Sequence, residues 1–344
     1  MSDKILSLIY TFSKKFIDPI TNLAFDPVNK NISVIVKEGN VNIFLQVNQE
    51  NTLAYKDILM QLKEKIAHIP DVVSVNIALT SEKNSKKPEK KFKINAKNII
   101  AVASGKGGVG KSTFSVNLAI ALKIIGKKVG LLDADIYGPS IPRMMGVSEK
   151  PKMNKYKKLI PIENYGVKCM SIGFILDEEA PTIWRGPMVM KALEQMFNGV
   201  EWGELDYLII DLPPGTGDAQ LTLAQSSKLS GSIVISTPQE VALTDARKGI
   251  NMFKKVNVDI LGIVENMSYF KCDGCNEKHF IFSKDGGLKE AQRFKVPFLG
   301  SIPIDKKLRQ QSDEGIPSCI DDLNSEISKK YISIAKNLNN SLNN

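Results

Sequence analysis

Cysteine is scarce in this chain: its 344 residues hold four, Cys169, Cys272, Cys275 and Cys319. So small and scattered a set excludes a disulfide framework, and because none falls among residues 1–80, that segment binds no metal cluster of its own. Long apolar runs are missing as well. No stretch approaches the roughly 18 uninterrupted apolar residues of a membrane-spanning helix. The start, MSDKILSLIYTFSKKF, has neither the long apolar centre nor the small-residue cleavage site of a secretory signal. The expectation is a cytoplasmic protein with no membrane partner. Internal repeats are absent too. Acidic residues are outnumbered, giving a net charge of +9, but seven lysines against two glutamates in Ser81–Lys97 supply +5 of it. The excess is therefore a lysine-rich linker at 81–97, a solvated connector or a docking strip for an acidic partner, and nucleic acid is not the expected partner.

What is present is an ordinary globular composition, 43% apolar and 24% charged, in a chain long enough for two domains. Residues 1–80 read as a small α+β domain of order α-β-β-α-β. A helical period runs through Ile5, Leu8, Ile9, Phe12 and Phe16, and alternation marks 31–36 and 40–47 as a hairpin turned at Gly39-Asn40. A second helical period (Ile58, Leu62, Ile66) and an alternating strand over Val72–Leu79 follow. Residues 98–320 alternate β-branched runs with helical segments, the pattern of an α/β domain with a mostly parallel, doubly covered sheet. Its strands are placed at Ile99–Ala103, Lys128–Leu132, Val167–Ile172, Tyr207–Ile210, Ser232–Ser236, Ile260–Glu265 and Phe298–Ser301, with helices including Lys111–Ile125 and Val241–Lys255. Residues 321–344 form a helical tail whose asparagine-rich end is expected to fray.

The stretch GKGGVGKST, Gly105 to Thr113, lies between the first of these strands and a helix. Strand, glycine-rich loop and helix in that order let backbone N–H groups and the positive helix end surround a phosphate. Gly105, Gly107, Gly108 and Gly110 permit the tight path, Lys111 reaches the β- and γ-phosphates, and the Ser112 hydroxyl is offered to Mg²⁺. A magnesium nucleotide site also needs carboxylates at neighbouring strand ends. Asp133 and Asp135 follow one strand and Asp211 another, while Asp218 is read either as a helix cap or as a site residue. Lys106 is an additional cation that the phosphate-loop pattern does not require.

Together these residues resemble a known family. Gly105–Thr113, with Lys106 beside Lys111, is similar to the deviant phosphate loop of the ATPases that include the nitrogenase iron protein and the division-site and chromosome-partition ATPases. DADIYGPS, DLPPGTGD, STPQEVAL and VENMSYFKCDGC resemble the Mrp-type iron-sulfur cluster carriers over residues 98–317, and residues 1–80 resemble the small MIP18-like domain often fused ahead of them. The resemblance implies a homodimeric P-loop ATPase in which Lys106 reaches across to the partner's phosphates, a lysine in the role of an arginine finger. It further implies that ATP contacts Gly105–Thr113, Val109 included, that Asp135 orients the hydrolytic water, and that Asp133 and Asp211 belong to the metal environment. Asn266 would bond the adenine; read from its position alone, it serves equally as a strand-end cap.

Cys272-Asp273-Gly274-Cys275 presents two thiolates in one short turn, and zinc or a [4Fe-4S] cluster wants four ligands. Either the rest come from elsewhere in the chain or two chains contribute equally, and symmetric donation is the simpler arrangement. Cys169 and Cys319 sit in apolar surroundings and read as small buried hydrophobes. His279, four residues past Cys275, is available for a mixed site. The resemblance assigns the pair to a labile [4Fe-4S] cluster bridging two subunits, which loading donors supply and apoproteins receive. Asp273 stands where the family commonly has proline, and an acid there is expected to raise the thiol pKa values. Structural zinc and a dithiol switch remain open for the pair. Two rival functions are also carried: a positioning ATPase, for which the tail with Lys329, Lys330, Lys336, Ile327, Ile332 and Ile334 offers a modest amphipathic helix, and a regulatory ATPase with a zinc-stabilised dimer.

Overall fold

A computed structural model describes residues 2–19, 22–29, 31–46, 55–80, 94–175 and 186–343. Residues 81–93 of the expected linker and the Asp218 side chain lie outside the described set. The chain divides into two compact units, Met1–Lys87 and Pro88–Asn344.

The first unit holds α1 (Ser2–Ser13), β1 (Ile32–Lys37), β2 (Asn40–Gln46), α2 (Lys56–Ala67) and β3 (Ser74–Thr80). β1 and β2 form an antiparallel hairpin and β3 joins β2 in parallel. Alternation in β2 turns Val41, Ile43 and Leu45 inward, where they meet Ile9, Phe25, Leu62 and Ile66 in a closed apolar core.

The second unit runs β4 (Ala96–Ser104), α3 (Lys111–Ile124), β5 (Val129–Asp133), α4 (Ile141–Met144), β6 (Ile162–Asn164), β7 (Val167–Ser171), α5 (Gly186–Asn198), β8 (Leu205–Asp211), α6 (Asp218–Ser226) and β9 (Gly231–Ser236). It continues through α7 (Glu240–Lys255), β10 (Ile260–Lys271), β11 (Lys278–His279), α8 (Gly286–Phe294), β12 (Phe298–Ile304), α9 (Lys306–Glu314), α10 (Ser318–Asp321) and α11 (Glu326–Asn343). Its sheet has the order β11-β10-β9-β4-β8-β5-β7-β6, with β12 also beside β10. Strands from β10 to β7 are parallel, and β12 joins β10 in parallel; among the described strands of the sheet, β6 and β11 pair antiparallel.

Both faces of this sheet are covered, so its central strands carry unbroken apolar runs such as Ile99–Ala103 and Tyr207–Ile210, and the period of two sorts side chains between two cores. Ile100 and Val102 of β4 enter one cluster, and Ile99, Ala101 and Ala103 enter the other. α3 is buried from Phe114 through Leu122 because the sheet lies on one side and α11 on the other. Tyr331 of α11 packs its ring 5.8 Å from that of Phe114, and Ile327, Ile334, Ala335 and Leu338 line the same contact. The apolar face that a membrane-seeking tail would need is therefore used inside the unit. The tail's end does not fray in this structure: the helix runs to Asn343, where Tyr207 donates to Asn339 Oδ1 at 3.0 Å and receives Asn343 Nδ2 at 3.2 Å. β4 sits between β8 and β9, so chain order reverses there and a crevice opens beyond the carboxyl ends of these strands.

Candidate nucleotide site and cysteine hairpin

The glycine-rich loop bridges β4 and α3 at that crevice. Gly108 and Gly110 have φ of +79° and +83°, a region a side chain resists. Crowding adds a second demand: a Cβ on Gly105 would lie 2.1 Å from the Asp245 carbonyl carbon in α7, and one on Gly110 would lie 2.1 Å from Asn266 Nδ2 in β10. Ser104 Oγ donates to the Lys106 carbonyl at 2.9 Å and fixes the loop's entry. No side chain caps α3, leaving its first N–H groups available to an anion. Val109 is buried, and its carbonyl accepts from Asn266 Nδ2 at 2.8 Å; Thr113, half-buried, accepts at its carbonyl from Asn117 Nδ2 at 2.9 Å. Asn266 is thus tied to the loop itself.

Asp211 ends β8 beside the loop. Its Oδ2 accepts Lys111 Nζ at 2.7 Å and Ser112 Oγ at 2.6 Å, and its Oδ1 accepts Ser115 Oγ at 2.6 Å. Lys111 is 6% exposed and Asp211 fully buried, so each charge depends on the other for its solvation. Ser115 escaped the sequence reading although it stands four residues past Lys111, one helical turn on and on the same face.

Asp133 lies in register with Asp211 across β5 and β8. Ser171 Oγ and the amides of Ser140 and Ile141 donate to its Oδ2 at 3.0, 3.1 and 3.2 Å, and the Asp135 amide donates to its Oδ1 at 3.1 Å. Burial, and after it the Asp211 charge, push its carboxyl up, to about 7. Ser171 had no signal in the sequence; only the pairing of β7 with β5 sets it opposite Asp133. Asp135, raised by burial, lines a cavity of ≈ 640 Å³ with Tyr137, Pro213, Pro214 and Gln220. Gly107 faces the same loop, its missing Cβ 4.0 Å from Pro214 Cγ. Lys106 is exposed, and its ammonium has no hydrogen-bond or ion-pair partner among the described residues. Glycine loop, Lys111, Ser112, Asp133, Asp135, Asp211 and Asn266 thus gather at one end of the sheet.

The cysteine pair lies farther along β10, beyond the carboxyl edge of the sheet. β10 continues past Glu265 to Lys271, turns through Cys272–Glu277 and returns as β11, with His279 paired to Phe270. The Cys272 amide donates to the Glu277 carbonyl at 3.0 Å, and the Asn276 amide donates back to the Cys272 carbonyl at 2.9 Å with Asn276 at φ +62°. The ligand atoms of Cys272, Cys275 and His279 all lie within 4.8 Å of one another. Amides of Cys275 and Gly274 donate to the Cys272 sulfur and hold its thiol below the usual value. The effect expected of Asp273 is present at that thiol but outweighed. Its charge does act upward, but least among the contributions, and its carboxylate is paired with Lys306 Nζ at 2.8 Å. Cys169 and Cys319 are buried in the main core, and burial pushes both thiols up, Cys319 to about 11.

The two sites share β10. Asn266 touches the phosphate loop and Cys272 lies six residues on, at most about 20 Å along an extended strand. The pairing of β10 with β12 is irregular between Asn266 and Phe270, where Met267 takes φ +55°.

The family described as NUBPL iron-transfer P-loop NTPases, of ParA type, matches residues 95–339. An Arabidopsis thaliana protein named as a mitochondrial iron-sulfur protein required for NADH dehydrogenase is 55% identical over 243 residues, 70% of this chain and 78% of that one. An iron-sulfur cluster carrier protein of a Synechocystis strain is 40% identical over 328 residues, 93% of each chain, so the likeness extends into the first unit. Among solved structures, a nucleotide-binding protein of Archaeoglobus fulgidus in complex with ADP, in which cobalt was found, superposes with a TM-score of 0.58 at 42% identity, covering 64% of this chain and 87% of that one.

Proposed function

The chain belongs to the NUBPL iron-transfer P-loop NTPases, and on that premise we propose that it is a homodimeric ATPase that carries an iron-sulfur cluster on Cys272 and Cys275 and delivers it to apoproteins. One observation carries the reading. One strand, β10, touches the phosphate loop at Asn266 and carries the surface dithiol turn from Cys272 onward.

Lys111 is held by Asp211. An arriving triphosphate competes for that ammonium and for the uncapped amides of α3, so Lys111 leaves the carboxylate for the phosphates. Asp211 and Ser112, already in contact at 2.6 Å, are an oxygen donor set suited to Mg²⁺ and would hold it. The ion neutralises phosphate charge when bound. Asp135, in the lining of the adjoining cavity, orients the attacking water. Asp133 keeps the 133–141 turn in place through the amides of Asp135, Ser140 and Ile141, and Ser171 of β7 holds the carboxylate itself. Lys106, exposed and unpaired among the described residues, is the cation that one subunit lends to the phosphates of the other, and hydrolysis waits for that closure. Asn266 exchanges its bond to Val109 for adenine, which gives β10 a direct report of nucleotide.

The cluster is the cargo, a [4Fe-4S] species taking two thiolates from each subunit. Loading donors and apoprotein acceptors meet it at the exposed turn, with the first unit, MIP18-like in pattern, aiding their selection. Among the described residues no helix is long and apolar enough to cross a membrane, and four free cysteines suit a reducing compartment, which we take to be the cytoplasm. The test is anaerobic transfer from the reconstituted protein to a single apoprotein, with and without ATP. Transfer that responds to ATP in the wild type and disappears in Cys272→Ala supports the reading; a protein that takes up tight zinc and no iron refutes it.

A further inference from the structure

The cysteine turn offers more than two sulfurs. β11 is two residues long and contributes little to the sheet, yet its pairing with Phe270 and Lys271 returns the chain so that His279 lies at the base of the loop holding both thiols. We propose that His279 is the third ligand of a mononuclear site within one chain, where Cys272 Sγ, Cys275 Sγ and an imidazole nitrogen hold a single thiophilic divalent ion, zinc or ferrous iron, with water in the fourth position.

Three observations converge on this assignment. The three ligand atoms are already within 4.8 Å of one another. Bonds of ~2.3 Å to sulfur and ~2.0 Å to nitrogen place tetrahedral ligands about 3.5–3.8 Å apart, so closure asks for about 1 Å of movement. Cys275 and His279 are exposed and Cys272 is half-buried, which leaves rotamer changes free to supply it. The imidazole is also uncommitted, with no hydrogen-bond partner for its ring nitrogens among the described residues. Finally, charge balances. Two thiolates neutralise a dication without a second chain, and Asp273, between the two cysteines, is engaged by Lys306 at 2.8 Å.

Binding displaces both thiol protons to solvent and changes no oxidation state. The consequence for the carrier is a resting form. A separated subunit keeps its thiols capped by one ion, and cluster loading requires His279 to let go as the second cysteine pair arrives. This shares the cysteines with the carrier reading but does not depend on the dimer.

Cobalt(II) is the probe. It is titrated anaerobically into the apo full-length chain while thiolate-to-cobalt charge transfer, tetrahedral visible bands and molecular mass are followed. The expected result is one ion per chain, charge transfer of two thiolates, no change in mass, and a loss of affinity in His279→Ala of at least about tenfold, the low end of what even an outer-shell partner costs. His279→Cys should restore tight binding with the charge transfer of three thiolates. Half an ion per chain with four-thiolate intensity and doubled mass, or an affinity indifferent to His279→Ala, overturns the assignment. Iron and sulfide reconstitution of the wild type runs in parallel. A chain that takes up the cluster but not a single cobalt sinks this inference alone, and one that takes up cobalt but no cluster sinks the carrier reading alone.

Discussion

Replacing Lys111 by Met isolates the ion pair on which the nucleotide site is built. Nζ and Asp211 Oδ2 are 2.7 Å apart, with the lysine 6% exposed and the aspartate fully buried. The substitution keeps the stem's volume and strands the carboxylate with two hydroxyl donors, Ser112 and Ser115. Removing one partner of a buried pair costs about 3–5 kcal/mol, and the remaining hydroxyls hold the loss near the lower figure, about 3. At roughly 2–4 °C per kcal/mol for a unit of this size, the nucleotide-free Tm falls by about 6–12 °C. Tryptophan fluorescence reads this unit selectively, since Trp184 and Trp202 both lie within Pro88–Asn344. Adding Asp211→Asn removes the stranded charge, so the double variant loses less than the two singles summed, by about 0.5–3 kcal/mol. ATP with Mg²⁺ at a hundredfold excess over Kd stabilises the wild type by about 2.7 kcal/mol and Lys111→Met not at all. A variant as stable as wild type without nucleotide, or one gaining equally from ATP, refutes the reasoning.

Lys106→Ala keeps ATP binding, because its exposed ammonium has no hydrogen-bond or ion-pair partner among the described residues, and lowers kcat by about 10³-fold or more, the scale of a finger supplied in trans; equal losses of affinity in Lys106→Ala and Lys111→Ala would show that both serve one site. Gly110→Ala loses nucleotide binding and costs at least about 1–2 kcal/mol, since the left-handed backbone is strained and the new Cβ meets Asn266 Nδ2 at 2.1 Å; an unchanged equilibrium titration would contradict that contact. Iodoacetamide labels Cys272 at a rate that rises with pH through a midpoint below that of an ordinary thiol, because amide donors favour the thiolate, while Cys169 and Cys319 stay unlabelled in the native protein; mass mapping showing Cys272 inert at neutral pH opposes this.

The phosphate loop was legible because its chemistry is compressed into nine consecutive residues between an apolar strand and a helix. The parallel strands were legible because burial on both faces writes them as unbroken apolar runs, Ile99–Ala103 and Tyr207–Ile210 among them. What escaped depends on register. Ser171 meets Asp133 only through β7 and β5, and Asp245 crowds Gly105 only through the packing of α7. β11 and β6 are too short to show a period. The tail's period was visible, but its partner α3 was not, so an internal helix read as a possible surface one. At Cys272 the composition of the turn pointed to Asp273, whereas the backbone amides, invisible in any residue list, set the thiol's direction.

The central claim is that nucleotide closes two chains around one cluster. Native mass spectrometry of the anaerobically reconstituted protein with ATP and Mg²⁺ addresses it directly. The expected product is a species of two chains and a single [4Fe-4S] cluster, which Cys272→Ala abolishes and Lys106→Ala weakens. A cluster carried intact by one chain, or a dimer indifferent to both substitutions, contradicts it.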